Sequence, residues 1–104
     1  MLKVSTEFRK GVLFIRLAGR IDNEGYLKSI NHLVDTIGIR YIVLNLSNLN
    51  DVSLEDVKHI INYNKKILEK KKLLLICDTN QVRDRLFKNI IPKVNCEIEA
   101  FSLI

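Results

Sequence analysis

The stretch Arg40–Leu68, RYIVLNLSNLNDVSLEDVKHIINYNKKIL, decides how the rest of the chain is laid out. It opens with the apolar run Tyr41-Ile42-Val43-Leu44 and continues through Asn45 to Leu46. A run of this length, rich in β-branched residues, predicts a strand buried on both faces. A polar turn is expected from Ser47 to Asp51, and then a helix. Ser53 stands where an N-cap belongs, Asp56 resembles the acidic half of a capping box, and Glu55 adds charge to the same turn. The far end carries Lys65, Lys66, Lys70, Lys71 and Lys72, the sign that a helix C-terminus favours. In α/β proteins the loop from a strand into a helix commonly forms the functional surface. The expected surface is therefore this loop.

At 104 residues the chain is expected to form a single domain, residues 1–104, with room for a real core and none for a second one. Hydrophobic residues make up 47% and charged ones 28%, a globular balance that argues against disorder. The net charge of +5 comes partly from the lysines at 65–72. No aromatics are interleaved with them and no arginine stripe accompanies them, so a solvated helix end is expected and nucleic acid is not. Cys77 and Cys96 lack metal-ligand or CxxC spacing and are expected to be small buried hydrophobes at strand ends. Residues 1–20 alternate and carry charge, so no signal peptide is read there, and no apolar run reaches the ~20 residues that span a bilayer. A reducing, cytoplasmic setting is expected, with no membrane partner.

Leu2, Val4, Thr6 and Phe8 alternate with polar residues, the period of a half-exposed strand at an edge. Lys10-Gly11 is a turn into a more apolar strand, Val12–Leu17, which makes an antiparallel hairpin. After Gly19–Asn23, with Asp22 or Asn23 as cap, Tyr26, Leu27, Ile30, Leu33, Val34 and Ile37 recur at helical spacing as far as Gly38. On the next helix Leu54, Val57, Ile60, Ile61, Ile67 and Leu68 are expected to form the buried stripe. Asn64 lies near its middle, as a satisfied buried amide or an exposed seam. His32 and His59 fall off their stripes and read as surface residues.

Leu73–Cys77 predicts another buried strand. A third helix should follow Asp78-Thr79-Asn80, with Val82, Leu86 and Phe87 inward and Arg83, Asp84, Arg85 and Lys88 outward. Cys96, Ile98 and Ala100 alternate with Glu97 and Glu99 as a last short strand. The sum is an α/β fold: a mixed, mostly parallel sheet of about five strands with three main helices and right-handed crossovers.

Four glycines, none clustered, cannot build a phosphate loop of the Walker or dinucleotide type. GxSxG, HExxH and paired-cysteine metal sites are absent from the sequence, and no strand ends in the acidic pair of a receiver domain. Tyr, His and Cys are too dispersed for a nucleophile with its base. An enzyme, a cofactor, a metal and a small-molecule substrate are accordingly not expected.

The chain resembles the STAS family, whose soluble members are bacterial anti-sigma factor antagonists. Residues 11–22, GVLFIRLAGRID, are similar to that family's opening, 42–49, IVLNLSNL, to its buried strand, and 82–87, VRDRLF, to its third-helix segment. The resemblance implies a STAS-like fold and a regulatory module that switches between protein partners. In such proteins a serine of a D-S-(S/T)-G segment at the start of the second helix is phosphorylated by a partner that is both anti-sigma factor and kinase. A phosphate there, about −1.5 to −2 in charge, would disrupt a packed interface.

Here that segment falls on Ser53-Leu54-Glu55-Asp56, and Leu54 has no hydroxyl. Three alternatives follow. The module binds its partner without phospho-control, using Leu54 as an apolar contact. Or Ser53 is the phosphosite, against which its capping role and the charges of Glu55 and Asp56 both argue. Or Glu55 and Asp56 imitate the phosphorylated state. With no interaction role at all, the two acids would simply stabilise a helix start, by about 0.3–1 kcal/mol each. The expected partner-binding surface is Asp22, Asn23, Asn50, Asp51, Val52, Ser53, Leu54 and Glu55, with the lysine-rich helix end as an outer contact. The implied partner is a protein, an anti-sigma factor kinase or another STAS protein. The competing role is a STAS-type scaffold or subunit of a larger signalling complex unrelated to sigma factors.

Overall fold

The computed structural model describes residues 1–80, 83, 85–87 and 89–104. Its elements run β1 (Leu2–Arg9), β2 (Val12–Arg20), α1 (Gly25–Ile37), β3 (Tyr41–Asp51), α2 (Leu54–Glu69), β4 (Leu73–Cys77), β5 (Lys93–Val94) and α3 (Ala100–Leu103). The five strands lie in the order β1-β2-β3-β4-β5; β1 is antiparallel to β2 and every other pair is parallel. The α/β fold with a mixed, mostly parallel sheet is therefore the observed architecture.

The hairpin turns at Lys10 (φ 50°) and Gly11 (φ 82°), two left-handed residues whose twist matches that of the flanking strands. The sheet is covered on both faces. Leu13, Ile15, Leu17, Ile42, Leu44 and Leu46 meet Leu27, Ile30 and Val34 of α1 and Val57, Ile60 and Ile67 of α2. Val12, Phe14, Val43, Leu75 and Cys77 face the other way, toward Ala100 and Phe101. The sequence Val12–Leu17 is apolar on both registers because both of its faces are interior. Gly38 (φ 71°) ends α1, its N–H donating to the Val34 carbonyl.

Several expectations are corrected. The residues read as a turn, Ser47–Asp51, continue β3. Between Asn45 and Asp51 the strand spends extra residues against Arg16–Arg20 of β2, with register shifts on either side of the pairs at Ala18 and Gly19. These bulges put Leu46 and Leu49, three apart, into the same core, a spacing that alternation does not announce. On α2, Tyr63 and Asn64 join the buried stripe, whereas Leu54 and Leu68 are exposed. Asn64 is thus a buried amide. Cys77 is buried as expected, and burial pushes its thiol up to about 11; Cys96 is exposed.

The strand expected at Cys96–Ala100 is absent. β5 lies earlier, at Lys93–Val94, and residues 97–103 are helical, a 3-10 turn at Glu97–Glu99 leading into α3. A helical turn brings Glu97, Ala100 and Phe101 to one side, at i, i+3 and i+4. The Glu97 carboxylate accepts from Arg16 and from the Asn45 amide at 2.8 Å, while Phe101 meets the Phe14 ring edge-on at 5.6 Å. A strand would have buried Ile98 and released Glu97; instead Ile98 is exposed.

The third helix is also different from expectation. Val82, Asp84 and Lys88 lie outside the described residues. Among the described ones, the N–H groups of Arg83, Leu86 and Ile90 donate to carbonyls three residues back, a 3-10 pattern. Phe87 is buried and Arg85 exposed, as read, but Arg83 points inward. Its guanidinium pairs with Asp78 at 2.8 Å, the two side chains being 8% and 1% exposed. It also donates to the carbonyls of Leu49 and Leu46 at 3.0 Å. β4 stops pairing with β3 at Asn45, so beyond it β3 has no strand on its β4 side among the described residues. Arg83 takes the place of the missing strand.

Removing one partner of a buried pair strands the other charge. Arg83→Met should therefore lower the unfolding free energy by about 3–5 kcal/mol in urea titration, and adding Asp78→Leu should restore part of the loss. A loss within the ~1 kcal/mol of an exposed pair would show that the arginine is not structural. The Arg16 guanidinium, aided by Asn45, holds the Glu97 carboxyl below the usual carboxylate range. A depressed folded value means stability that is complete above the unfolded value, about 4.3, and lost as pH falls through the folded one. The stability gap between wild type and Glu97→Gln should then shrink on acidification below about pH 4. A gap independent of pH would refute this role for Glu97.

Candidate functional site

The start of α2 is built by its own sequence. Ser53 is extended (φ −79°, ψ 164°); its Oγ accepts from the Asp56 N–H at 3.0 Å, and the Asp56 carboxylate accepts from the Ser53 N–H at 3.0 Å. Both halves of the expected capping box are present. Two of the donors that a helix start leaves open are satisfied within the chain, and the first turn is held in one orientation.

That orientation presents Leu54 outward, 72% exposed, in the first turn of the helix. Asn50, Asp51, Ser53 and Glu55 are exposed beside it, and Val52 is half-buried against the core. On the neighbouring segment Asp22 and Asn23 are exposed; the Asn23 Oδ1 accepts from the Gly25 N–H at 2.8 Å and so shapes the entry to α1. Asp22 lies 3.9 Å from the terminal amine of Met1. A depression of about 420 Å³ joins the two segments, lined by Asp22, Asn23, Asp51, Ser53 and Glu55. Asn50, Val52 and Leu54 do not line it; Leu54 stands as an apolar knob apart from it.

Four further residues belong to this depression that sequence reasoning did not include in the partner-binding surface: Arg20, Ile21, Asp56 and His59. Arg20 lies 3.5 Å from Asp51, a pair set by the last register of β2 on β3. His59 Nε2 sits 3.4 Å from both the Glu24 and the Glu55 carboxylates. The Glu55–His59 spacing of i, i+4 was readable; the Glu24 contact requires knowing that α1 and α2 are neighbours. Asp22, Glu24, Asp51, Glu55 and Asp56 give this end an acidic character on a chain whose net charge is +5.

The opposite end of α2 is not simply a solvated lysine cluster. Lys70 bonds Asp35 and Asn31 of α1 at 2.8 Å, and Lys72 reaches the Ile39 carbonyl. These lysines hold α2 on the fold, which leaves less of the cluster free as an outer contact. Among the described residues no group of three or more His, Cys, Asp or Glu is placed to hold a metal ion, and no helix is long and apolar enough to cross a membrane.

No protein-family model matches the chain. Its structure, however, matches that of an anti-sigma factor antagonist from Mycobacterium paratuberculosis with a TM-score of 0.84 at 14% identity, over 100% of this chain and 94% of that one. It also matches the anti-sigma factor antagonist SpoIIAA in its unphosphorylated form, TM-score 0.77 at 14% identity, over 97% of this chain and 96% of that one. The chain has the STAS fold. Within that fold the Ser53–Asp56 segment is a complete capping box, and Leu54 is exposed in the first turn that it opens.

The Ser53 hydroxyl contributes through its cap. Ser53→Ala should cost about 1 kcal/mol of stability in chemical denaturation, and Ser53→Asp, which can still cap, should cost less. Equal losses for the two would mean that the hydroxyl acts in some other way.

Proposed function

We propose that the protein is a non-enzymatic regulatory module of the anti-sigma factor antagonist kind, acting in the cytoplasm and binding another protein through the amino end of α2. The observation that carries this is Leu54, a large apolar side chain held in solvent by a rigid, capped helix start. Buried, such a residue serves as an anchor; left exposed, it costs solvation with no folding benefit. The carboxylates of Asp22, Asp51 and Glu55 line the depression beside it, which suits a partner whose apolar pocket is flanked by basic groups. Asn23, Asn50, Val52 and Ser53 complete the docking surface.

The module is not switched at the family's serine position, because Leu54 has nothing to phosphorylate. Nor is Ser53 a good substitute. A phosphate there would displace the Asp56 N–H bond and face the Asp56 carboxylate across the same cap. Binding is accordingly constitutive, and its strength is set by the apolar contact. The partner class that fits the fold is an anti-sigma factor kinase or a second STAS protein.

Calorimetric titration of the purified chain against each anti-sigma factor kinase and STAS protein of its source cell tests this. One of them should bind, and Leu54→Asp should weaken that complex by at least about tenfold while leaving the melting temperature unchanged. Failure of every candidate to bind the wild type would remove the antagonist assignment. Equal binding by Leu54→Asp would move the interface elsewhere. Mass spectrometry after incubation with kinase and ATP should find no phosphoryl group on Ser53; finding one would overturn constitutive binding.

A further inference from the structure

The outer edge of β1 is an eight-residue strand with no neighbouring strand on one side among the described residues, no proline and an uninterrupted register to β2. Edges of this kind expose a row of N–H and C=O groups ready to pair with another strand, and proteins ordinarily blunt them. Val4 and Phe8 on this strand are also exposed, 45% and 57%.

The backbone parity of the free edge can be read directly. The turn at Lys10-Gly11 makes Arg9 and Val12 the closing hydrogen-bonded pair, and the Met1 carbonyl accepts from the Arg20 N–H at the far end. Odd-numbered residues therefore direct their backbone groups at β2. Leu2, Val4, Thr6 and Phe8 direct theirs outward.

We propose that the chain forms a two-fold symmetric dimer in which two β1 edges pair antiparallel about Ser5, joining two sheets into one. In this register Val4 opposes Thr6 of the second copy and Leu2 opposes its Phe8, all outward-bonding residues that can exchange both hydrogen bonds. Lys3 opposes Glu7, opposite charges in cross-strand contact on the back face of the sheet. Arg16 bonds one Glu7 oxygen at 2.8 Å, which keeps that carboxylate on the back face where the incoming lysine arrives.

The neighbouring registers that preserve parity are worse. Centring on Thr6 sets Lys3 against Arg9, two like charges. Centring on Val4 sets Lys3 against Ser5 and shortens the ladder. On the helix side, the register about Ser5 carries the partner's Phe8 ring alongside Leu2, at an apolar groove of about 400 Å³ that Leu2, Val4, Tyr26 and Leu33 line. The Tyr26 hydroxyl beneath it is buried and has no partner among the described residues.

This dimer does not depend on the proposed docking at α2, and Leu54→Asp should leave it intact. Light scattering should give twice the chain's mass at high concentration. Lys3→Glu should weaken association by about tenfold, since it creates two like-charge pairs per dimer. The register is read by cross-linking in a Cys96→Ser background with oxidised glutathione. Ser5→Cys should cross-link fastest, because facing residues of a non-hydrogen-bonded pair lie about 4.5 Å apart at Cα, within disulfide reach. A monomer at millimolar concentration would overturn the proposal, as would faster cross-linking by Val4→Cys or Thr6→Cys, or a dimer indifferent to Lys3→Glu.

Discussion

The guanidinium of Arg83 holds the overhanging end of β3 in place. β3 outruns β4: the pairing ends at Asn45, yet the strand continues to Asp51. Peptide groups buried without partners would cost more than the overhang could recover from packing Leu46 and Leu49. Arg83 resolves this by presenting a rigid fork of donors, two toward Asp78 and others to the carbonyls of Leu46 and Leu49. The Thr79 N–H adds a bond to the Ser47 hydroxyl. One arginine thus does for the overhang what a neighbouring strand does for the rest of β3, and Asp78 makes its burial tolerable.

Because the overhang is held, the segment after it has a defined start. Asp51 reaches Arg20 at the end of β2, Val52 packs inward, and Ser53 closes a cap that orients the first turn of α2. Leu54 then projects from a base that has little freedom, and an apolar contact on a rigid base loses little entropy on binding. The acidic side chains nearby come from three different segments, at Asp22 and Glu24, at Asp51, and at Glu55 and Asp56. Only the parallel β2–β3 pairing and the packing of α1 beside α2 bring them to one end of the sheet.

The back face is organised by a second polar cluster. Arg16 links Glu7 of β1 to Glu97 of the C-terminal turn, and Asn45 of β3 joins through the same carboxylate. These groups are partly solvated, so their mutual attraction is modest per bond, but together they choose which side of residues 97–103 faces the sheet. The apolar contacts of Ala100 and Phe101 then complete the choice.

Local pattern was sufficient where the relevant contacts are local. The hairpin, the glycine end of α1 and the reciprocal Ser53–Asp56 cap are all made by residues within a few positions of one another, and the buried strands were legible because a strand covered on both faces is continuously apolar. Leu54 was read into the buried stripe of α2, and that was not correct, since the capped first turn leaves it exposed. What failed depended on distant partners. Ser47–Asp51 reads as a turn because its polar residues match turn chemistry, and only bulged pairing with β2 keeps it extended. Arg83 reads as a surface cation until the orphaned carbonyls of Leu46 and Leu49 are seen next to it. Glu97 reads as the outer face of a strand until Arg16, eighty-one positions away, is found beside it. The sequence by itself determined the α/β class, the order of the main elements and the capped start of α2, since these rest on short-range periodicity and hydrogen bonding. Only the tertiary structure decided where β3 ends, which charges gather at the amino end of α2 and which way the C-terminus turns, since each is set by a polar group whose partner lies far along the chain.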